Sequence, residues 1–141
     1  ERAMQQLKRV RISEQALKYP LQLSGGQQQM LSLARGLATD PVLLMLDEMS
    51  MGLAPIVVAD LYEQVQAIAA EGVSVLVIEH DADMITQSDW VIELGPGAGA
   101  QGGKIVFEGH PEKLLKAKTP WAAALTERIA LHRALGAQRA A

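Results

Sequence analysis

Two acids stand side by side, Asp47 and Glu48, directly after the apolar run Val42, Leu43, Leu44, Met45 and Leu46. In open α/β sheets, ligands bind beyond the carboxyl ends of the strands. An Asp there can hold Mg2+, directly or through water, because that ion takes oxygen ligands and keeps part of its hydration shell. An adjacent Glu can polarise an attacking water as a general base. The same pair also suits a strand that simply runs into a solvated acidic turn. A third titratable group, His80, stands just beyond the apolar run Val73 to Ile78. A neutral imidazole can hydrogen-bond a phosphate oxygen or a water, or serve only the structure. The third segment is Leu23, Ser24, Gly25, Gly26 and Gln27, at the start of a helical pattern. A helix N-terminus offers unpaired N–H groups to an anion, and glycines allow close backbone approach. Ser24 can cap that helix or donate its hydroxyl to the anion.

The elements needed to position these groups are readable from periodicity. Residues 1–17 suggest a surface helix, and Pro20 with the Gly25-Gly26 pair marks a loop. Met30, Leu31, Ala34, Leu37 and Ala38 recur at helical spacing, and Asp40-Pro41 stops that helix. The runs 42–46 and 73–78 read as strands covered on both faces. Between them Pro55 opens a helix, Val58, Leu61, Val65 and Ile68 give it a buried face, and Gly72 closes it. Asp81 caps a short helix to about Gln87, and strands follow at 90–94 and 104–108, the last one antiparallel. Helices are expected over 111–118 and 120–137. The alternation of strands and helices implies right-handed βαβ units and a mostly parallel sheet, hence an α/β fold.

Taken together, LSGGQ, an apolar strand ending in Asp-Glu and a strand followed by His resemble the ATP-binding-cassette (ABC) ATPases. Ser24 and Asp47 lie 23 positions apart and Glu48 and His80 lie 32 apart, spacings that this family shows. The resemblance implies a partial P-loop NTPase domain that binds ATP with Mg2+. In it, Leu23, Ser24, Gly25, Gly26 and Gln27 form the signature loop and Asp47 is the metal-binding acid. Glu48 is then the catalytic carboxylate and His80 the switch histidine. The family also implies a head-to-tail dimer, in which the signature loop closes on the nucleotide of the second ABC ATPase subunit. Residues 21–78 resemble the ATPase subunits of branched-chain amino-acid importers. That likeness implies amino-acid import, membrane permease partners and a cytoplasmic place at the inner face of the membrane. Residues 79–115 instead resemble the UvrA-type DNA-repair cassettes, with DNA as partner. A non-catalytic interaction module is the third alternative. The importer is weighted first, because the stretch carrying that likeness is longer and holds Ser24, Asp47 and Glu48.

The likeness covers residues 1–118, with 1–35 as helical subdomain and signature helix and 119–141 as a C-terminal helical extension. No G-x-x-x-x-G-K-[ST] occurs in the 141 residues; the Gly-rich stretch 95–103 before Lys104 has the wrong spacing. That motif supplies the backbone cradle and the Lys for the β- and γ-phosphates. The chain by itself is therefore expected neither to bind ATP tightly nor to hydrolyse it, and to be marginally stable. Met49 stands where relatives carry Pro, which bears on the turn after Glu48, and Ala54 replaces an Asp found in many of them.

Composition narrows the classes further. The chain is 49% hydrophobic and 21% charged, ordinary for a globular chain, and only 4% aromatic. A net charge of −3 argues against a global affinity for nucleic acid. With no cysteine, disulfides, thiolate nucleophiles and Cys-ligated zinc are excluded for these residues. No apolar run reaches the roughly 20 residues of a spanning helix, and no leader pattern is visible. Glu1 in place of Met suggests an internal piece of a longer polypeptide. Lys8, Arg9 and Arg11 read as a solvated helix face, Trp90 and Trp121 as packing residues, His110 as part of a helix start and His132 as exposed.

Overall fold

Residues 1–97, 99 and 102–128 are described by the computed structural model, and the chain divides into two units with the boundary after Glu79. The first unit begins with α1 (Arg2–Arg9) and two short 3-10 turns, then α2 (Gly25–Leu37), β1 (Leu43–Asp47), α3 (Pro55–Ala70) and β2 (Ser74–Ile78). The second holds α4 (Ala82–Gln87), β3 (Val91–Leu94), β4 (Ile105–Gly109) and α5 (Pro111–Leu114), with residues 120–128 also helical. The expected helix beyond 128, and His132, lie outside the described residues.

β1, α3 and β2 make the expected βαβ unit. The two strands are parallel, in a register that pairs Leu43 with Ser74 and Asp47 with Ile78. Leu44 and Leu46 enter the core with Leu33 and Leu37 of α2 and Leu61, Val65 and Ile68 of α3. Of the two apolar faces of the strands, one is open within this unit. Leu43 and Met45 are 52% and 63% exposed, and Leu76 and Ile78 share their face. A continuous apolar run does not reveal which of its faces the rest of the chain covers, and only the helix-facing side is covered within this unit. Among the described residues β1 and β2 pair only with each other, and β3 and β4 form an antiparallel pair.

The first helix stops eight residues short of position 17. Its end is a Schellman motif: Ile12 N–H donates to Leu7 O at 2.9 Å and Arg11 N–H to Lys8 O at 3.1 Å. Arg11 takes the left-handed position, φ 56°, where glycine is the usual occupant. The side chain anchors it there, pairing with Asp60 at 3.5 Å and Glu63 at 3.3 Å on α3. The buried Gln64 amide, oriented to satisfy both groups, donates to Arg9 O and accepts from Arg11 Nε. Arg9 itself pairs with Glu71. Two of the three expected surface cations are thus held by carboxylates, while Lys8 is exposed.

In the second unit Asp81 caps α4 as expected, its carboxylate accepting from Asp83 N–H and Met84 N–H. Ala82, Leu114, Ala122 and Leu125 form the core, with Trp121 packed against them. The Trp121 N–H donates to the buried Glu93 carboxylate at 3.3 Å. Trp90, read as a packing residue, is half exposed and meets the His110 ring edge-on at 5.1 Å. His110 is the N-cap of α5, a helix start as expected, although α5 is only one turn long.

Candidate functional site

Ser24 stands just ahead of α2 in extended backbone and closes a capping box. Gln27 N–H donates to Ser24 Oγ at 3.3 Å, and Ser24 N–H donates to Gln27 Oε1 at 3.0 Å. Gln28 Nε2 reaches back to Pro20 O and Leu23 O, and the Leu23 side chain is buried. The hydroxyl oxygen of Ser24 therefore caps, while its hydrogen can still be donated, since a hydroxyl accepts and donates at once. The N–H groups of Gly25 and Gly26 precede the helix's own ladder, and they are the ones an anion would find.

The two glycines differ in what surrounds them. A Cβ on Gly26 would come within 2.4 Å of Val57 Cγ1, whereas one on Gly25 would sit at an ordinary 3.5 Å from Leu53 Cδ2. A packing reason for glycine at position 26 therefore stands beside any approach to a ligand. Gly26 is required by the packing of α2 against the first turn of α3, and Gly25 has no such demand.

β1 ends in Asp47, Glu48 follows it, and both are exposed. Among the described residues no ion pair engages either carboxylate. The turn after them is unusual. Glu48 adopts φ 45°, a left-handed conformation that costs a residue with a Cβ about 1–2 kcal/mol. The Glu48 N–H donates to Ile78 O at 2.9 Å, and its carbonyl accepts from Met51 N–H at 3.2 Å. Met49, in place of the expected Pro, is sunk in the core. Ser50 donates twice to Glu79, from its N–H to Oε1 at 2.9 Å and from its hydroxyl to Oε2 at 2.8 Å. Ala54 offers α3 no side-chain cap, and Pro55 fills its first position.

The first unit thus gathers Asp47, Glu48, Ser50 and Glu79 at the carboxyl end of the parallel pair. Leu23 to Gln27 lie at the start of α2, against Leu53 and Val57. His80 is exposed and is the first residue of the second unit. Among the described residues no set of three His, Asp or Glu side chains converges to hold a metal. Mg2+ would rest on Asp47, with phosphate and water oxygens completing its shell, which is how that ion is commonly held. An exposed Asp outside any described ion pair fits that donor set. Glu79 and Ser50 went unnoticed in the sequence. The usable signal was the parallel register: if 47 faces 78, then residue 79 lies beside the turn that follows 47.

Residues 1–51 match the family model described as ABC transporter. The chain is 36% identical over 122 residues to UvrABC system protein A of Agrobacterium fabrum, covering 84% of this chain and 12% of that protein. The same name from Synechocystis matches at 46% over 93 residues, covering 64% of this chain and 10% of that protein. Across the curated relatives, the chain spans only 5% to 12% of their length. Among solved structures it is similar to a nucleotide-free ATP-binding cassette from an ABC transporter. That match has TM-score 0.74 at 25% identity, covering 89% of this chain and 48% of that one. UvrA2 from Deinococcus radiodurans matches with TM-score 0.62 at 36% identity, covering 73% of this chain and 13% of that one. Among the described residues no helix is long and apolar enough to cross a membrane. The relatives give no support to amino-acid or branched-chain import, which the sequence had placed first; their names favour the alternative. The chain carries part of an ABC-type ATPase domain, the domain of a family that binds ATP, and its resemblance within that family is to UvrA.

Proposed function

We propose that the chain is part of an ATP-hydrolysing cassette of a UvrA-like DNA-repair ATPase. The observation that carries the hydrolytic reading is the carboxyl end of β1, where Asp47 and Glu48 stand exposed beside a turn clamped to β2. In this reading Asp47 helps hold Mg2+ and Glu48 aligns water. His80 senses the γ-phosphate, and Ser24 with Gly25 and Gly26 stabilises the phosphates held by a second ABC ATPase subunit. Such stabilisation is positional and electrostatic, as phosphoryl transfer requires. Residues 1–118 would then belong to the nucleotide-binding domain, with 119–141 as an extension. The phosphate-binding Lys and its glycine cradle must come from residues other than these 141. DNA as a partner is supported by the likeness to UvrABC system protein A. A transporter cassette with permease partners is the second reading, supported by the higher TM-score of 0.74 to a transporter's cassette.

The test is to mix this chain with an intact UvrA-type cassette whose own signature serine has been disabled, and to follow phosphate release. Turnover should rise about a hundredfold, the order that one transition-state donor contributes, and Ser24→Arg should abolish the rise. Glu48→Gln should matter little there, because Glu48 serves the site that this chain's own phosphate loop would complete. No rise with a folded chain would sink the composite-site reading. Adding a lesion-bearing duplex separates the branches: salt-sensitive binding supports the repair reading, and co-purification with a permease instead supports the transporter.

A further inference from the structure

Glu48 keeps a backbone conformation that residues with a Cβ hold only where their neighbours over-determine it. Its φ is 45°, and consecutive residues at the end of β2 supply the restraint. On the entry side, Ile78 O receives the Glu48 N–H at 2.9 Å. On the exit side, the Glu79 carboxylate grips Ser50 with both oxygens, at 2.9 Å from its N–H and 2.8 Å from its hydroxyl. Met49, between the two grips, is buried in the core. The turn is thus tied at both ends to one short stretch of the neighbouring strand. The exit-side tie is a pair of hydrogen bonds to a charged acceptor, the stronger class.

We propose that Glu79 is a positioning residue for Glu48: by holding both donors of Ser50 it fixes the 48–51 turn and so the direction in which the Glu48 carboxylate leaves the sheet. Its functional meaning rests on the reading of Glu48 as the hydrolytic carboxylate; the positioning itself does not. Geometry rather than charge is what the grip needs. Glutamine can satisfy both ends, its Oε1 accepting from Ser50 N–H and its Nε2 donating to Ser50 Oγ. Alanine satisfies neither.

The test is NMR of the isotopically labelled full chain, read at Glu48 and Ser50. The wild type should show left-handed Cα and Cβ shifts at Glu48. In Glu79→Ala those shifts should move toward averaged values, and amide exchange at Glu48 and Ser50 should rise about tenfold or more. Leu44 and Leu46, earlier in the same strand, should stay protected, and Glu79→Gln should restore the wild-type signals. Should Glu79→Ala unfold the unit, Ser50→Ala, which deletes one of the two bonds, decides by the same shifts. Unmoved Glu48 signals in a folded alanine variant, or glutamine behaving as alanine does, overturn the proposal. The readout needs no nucleotide, so inactivity in the mixed-cassette assay and an unmoved Glu48 signal are separate results.

Discussion

The loop at Ser24 and the turn at Glu48 both end a secondary element and present polar groups at a candidate ATPase site, yet they are held in opposite ways. The Ser24 loop is stabilised within four residues, by a reciprocal box between Ser24 and Gln27 in ordinary backbone conformations. The Glu48 turn is strained and is held from about thirty residues away, by Ile78 and Glu79. A local device survives loss of its surroundings, whereas a strained turn held from afar depends on the sheet being formed. In this chain the Ser24 cap, read as phosphate-stabilising, is therefore set mainly by the start of α2, and the group read as water-aligning is set by the β1–β2 pairing.

Gly26 is where the loop stops being local, and replacing it gives the largest expected effect. Gly26→Val should destabilise the first unit by about 1–3 kcal/mol, the usual range for overpacking. Even the Cβ falls 2.4 Å from Val57 Cγ1, and a β-branched side chain on a helix has little freedom to turn away. Urea denaturation followed by circular dichroism measures this. Val57→Ala in the same molecule should recover most of the loss, since it removes the opposing methyl. Gly25→Ala should stay within about 0.5 kcal/mol of wild type, because its new methyl meets Leu53 at ordinary contact. If the two glycines behave alike, Gly26 has no packing role that Gly25 lacks.

This contrast also decides what could be read before the structure was known. Ser-x-x-Gln ahead of an apolar helical pattern is a capping signature, and Gly72 and Pro55 bracket α3 from composition alone. Such features are carried by neighbours in the chain. The early end of α1 was not legible, because Arg11 fills a glycine position and is secured there by Asp60 and Glu63, some fifty residues on. The same holds for the turn at Glu48: its acids were visible, but not its left-handed backbone or the Ser50–Glu79 grip. Nor could Leu43 and Met45 be told from Leu44 and Leu46, since apolarity says nothing about which face finds a partner.

A smaller effect is expected at the cap itself. Ser24→Ala should cost about 1 kcal/mol, the usual value for losing an N-cap side chain, and Ser24→Asn should restore most of it. Differential scanning calorimetry of the two variants checks this. The loss should be confined to the first turn of α2, with amide exchange rising at Gln27, whose N–H the hydroxyl accepts. A loss that spreads to β1 would mean that the loop and the turn are one cooperative device, and the comparison between them would collapse.

The smallest effect is also the only expected gain. Glu48→Gly removes the Cβ that makes φ 45° costly, a relief of about 1–2 kcal/mol. Against this stands the extra freedom glycine regains on unfolding, about 0.5–1 kcal/mol. The net should be a stabilisation between about 0 and 1.5 kcal/mol, centred below about 1 kcal/mol, read as a higher urea midpoint with an unchanged slope. Loss of the Glu48 side chain subtracts little, because that side chain is exposed and no ion pair engages it among the described residues. Alanine at the same position keeps the Cβ and should show no such gain, which separates relief of backbone strain from removal of a negative charge beside Asp47. If glycine and alanine shift the midpoint equally, the turn stores no strain. The clamp from β2 would then have nothing to oppose, and Glu48 would be held as locally as Ser24.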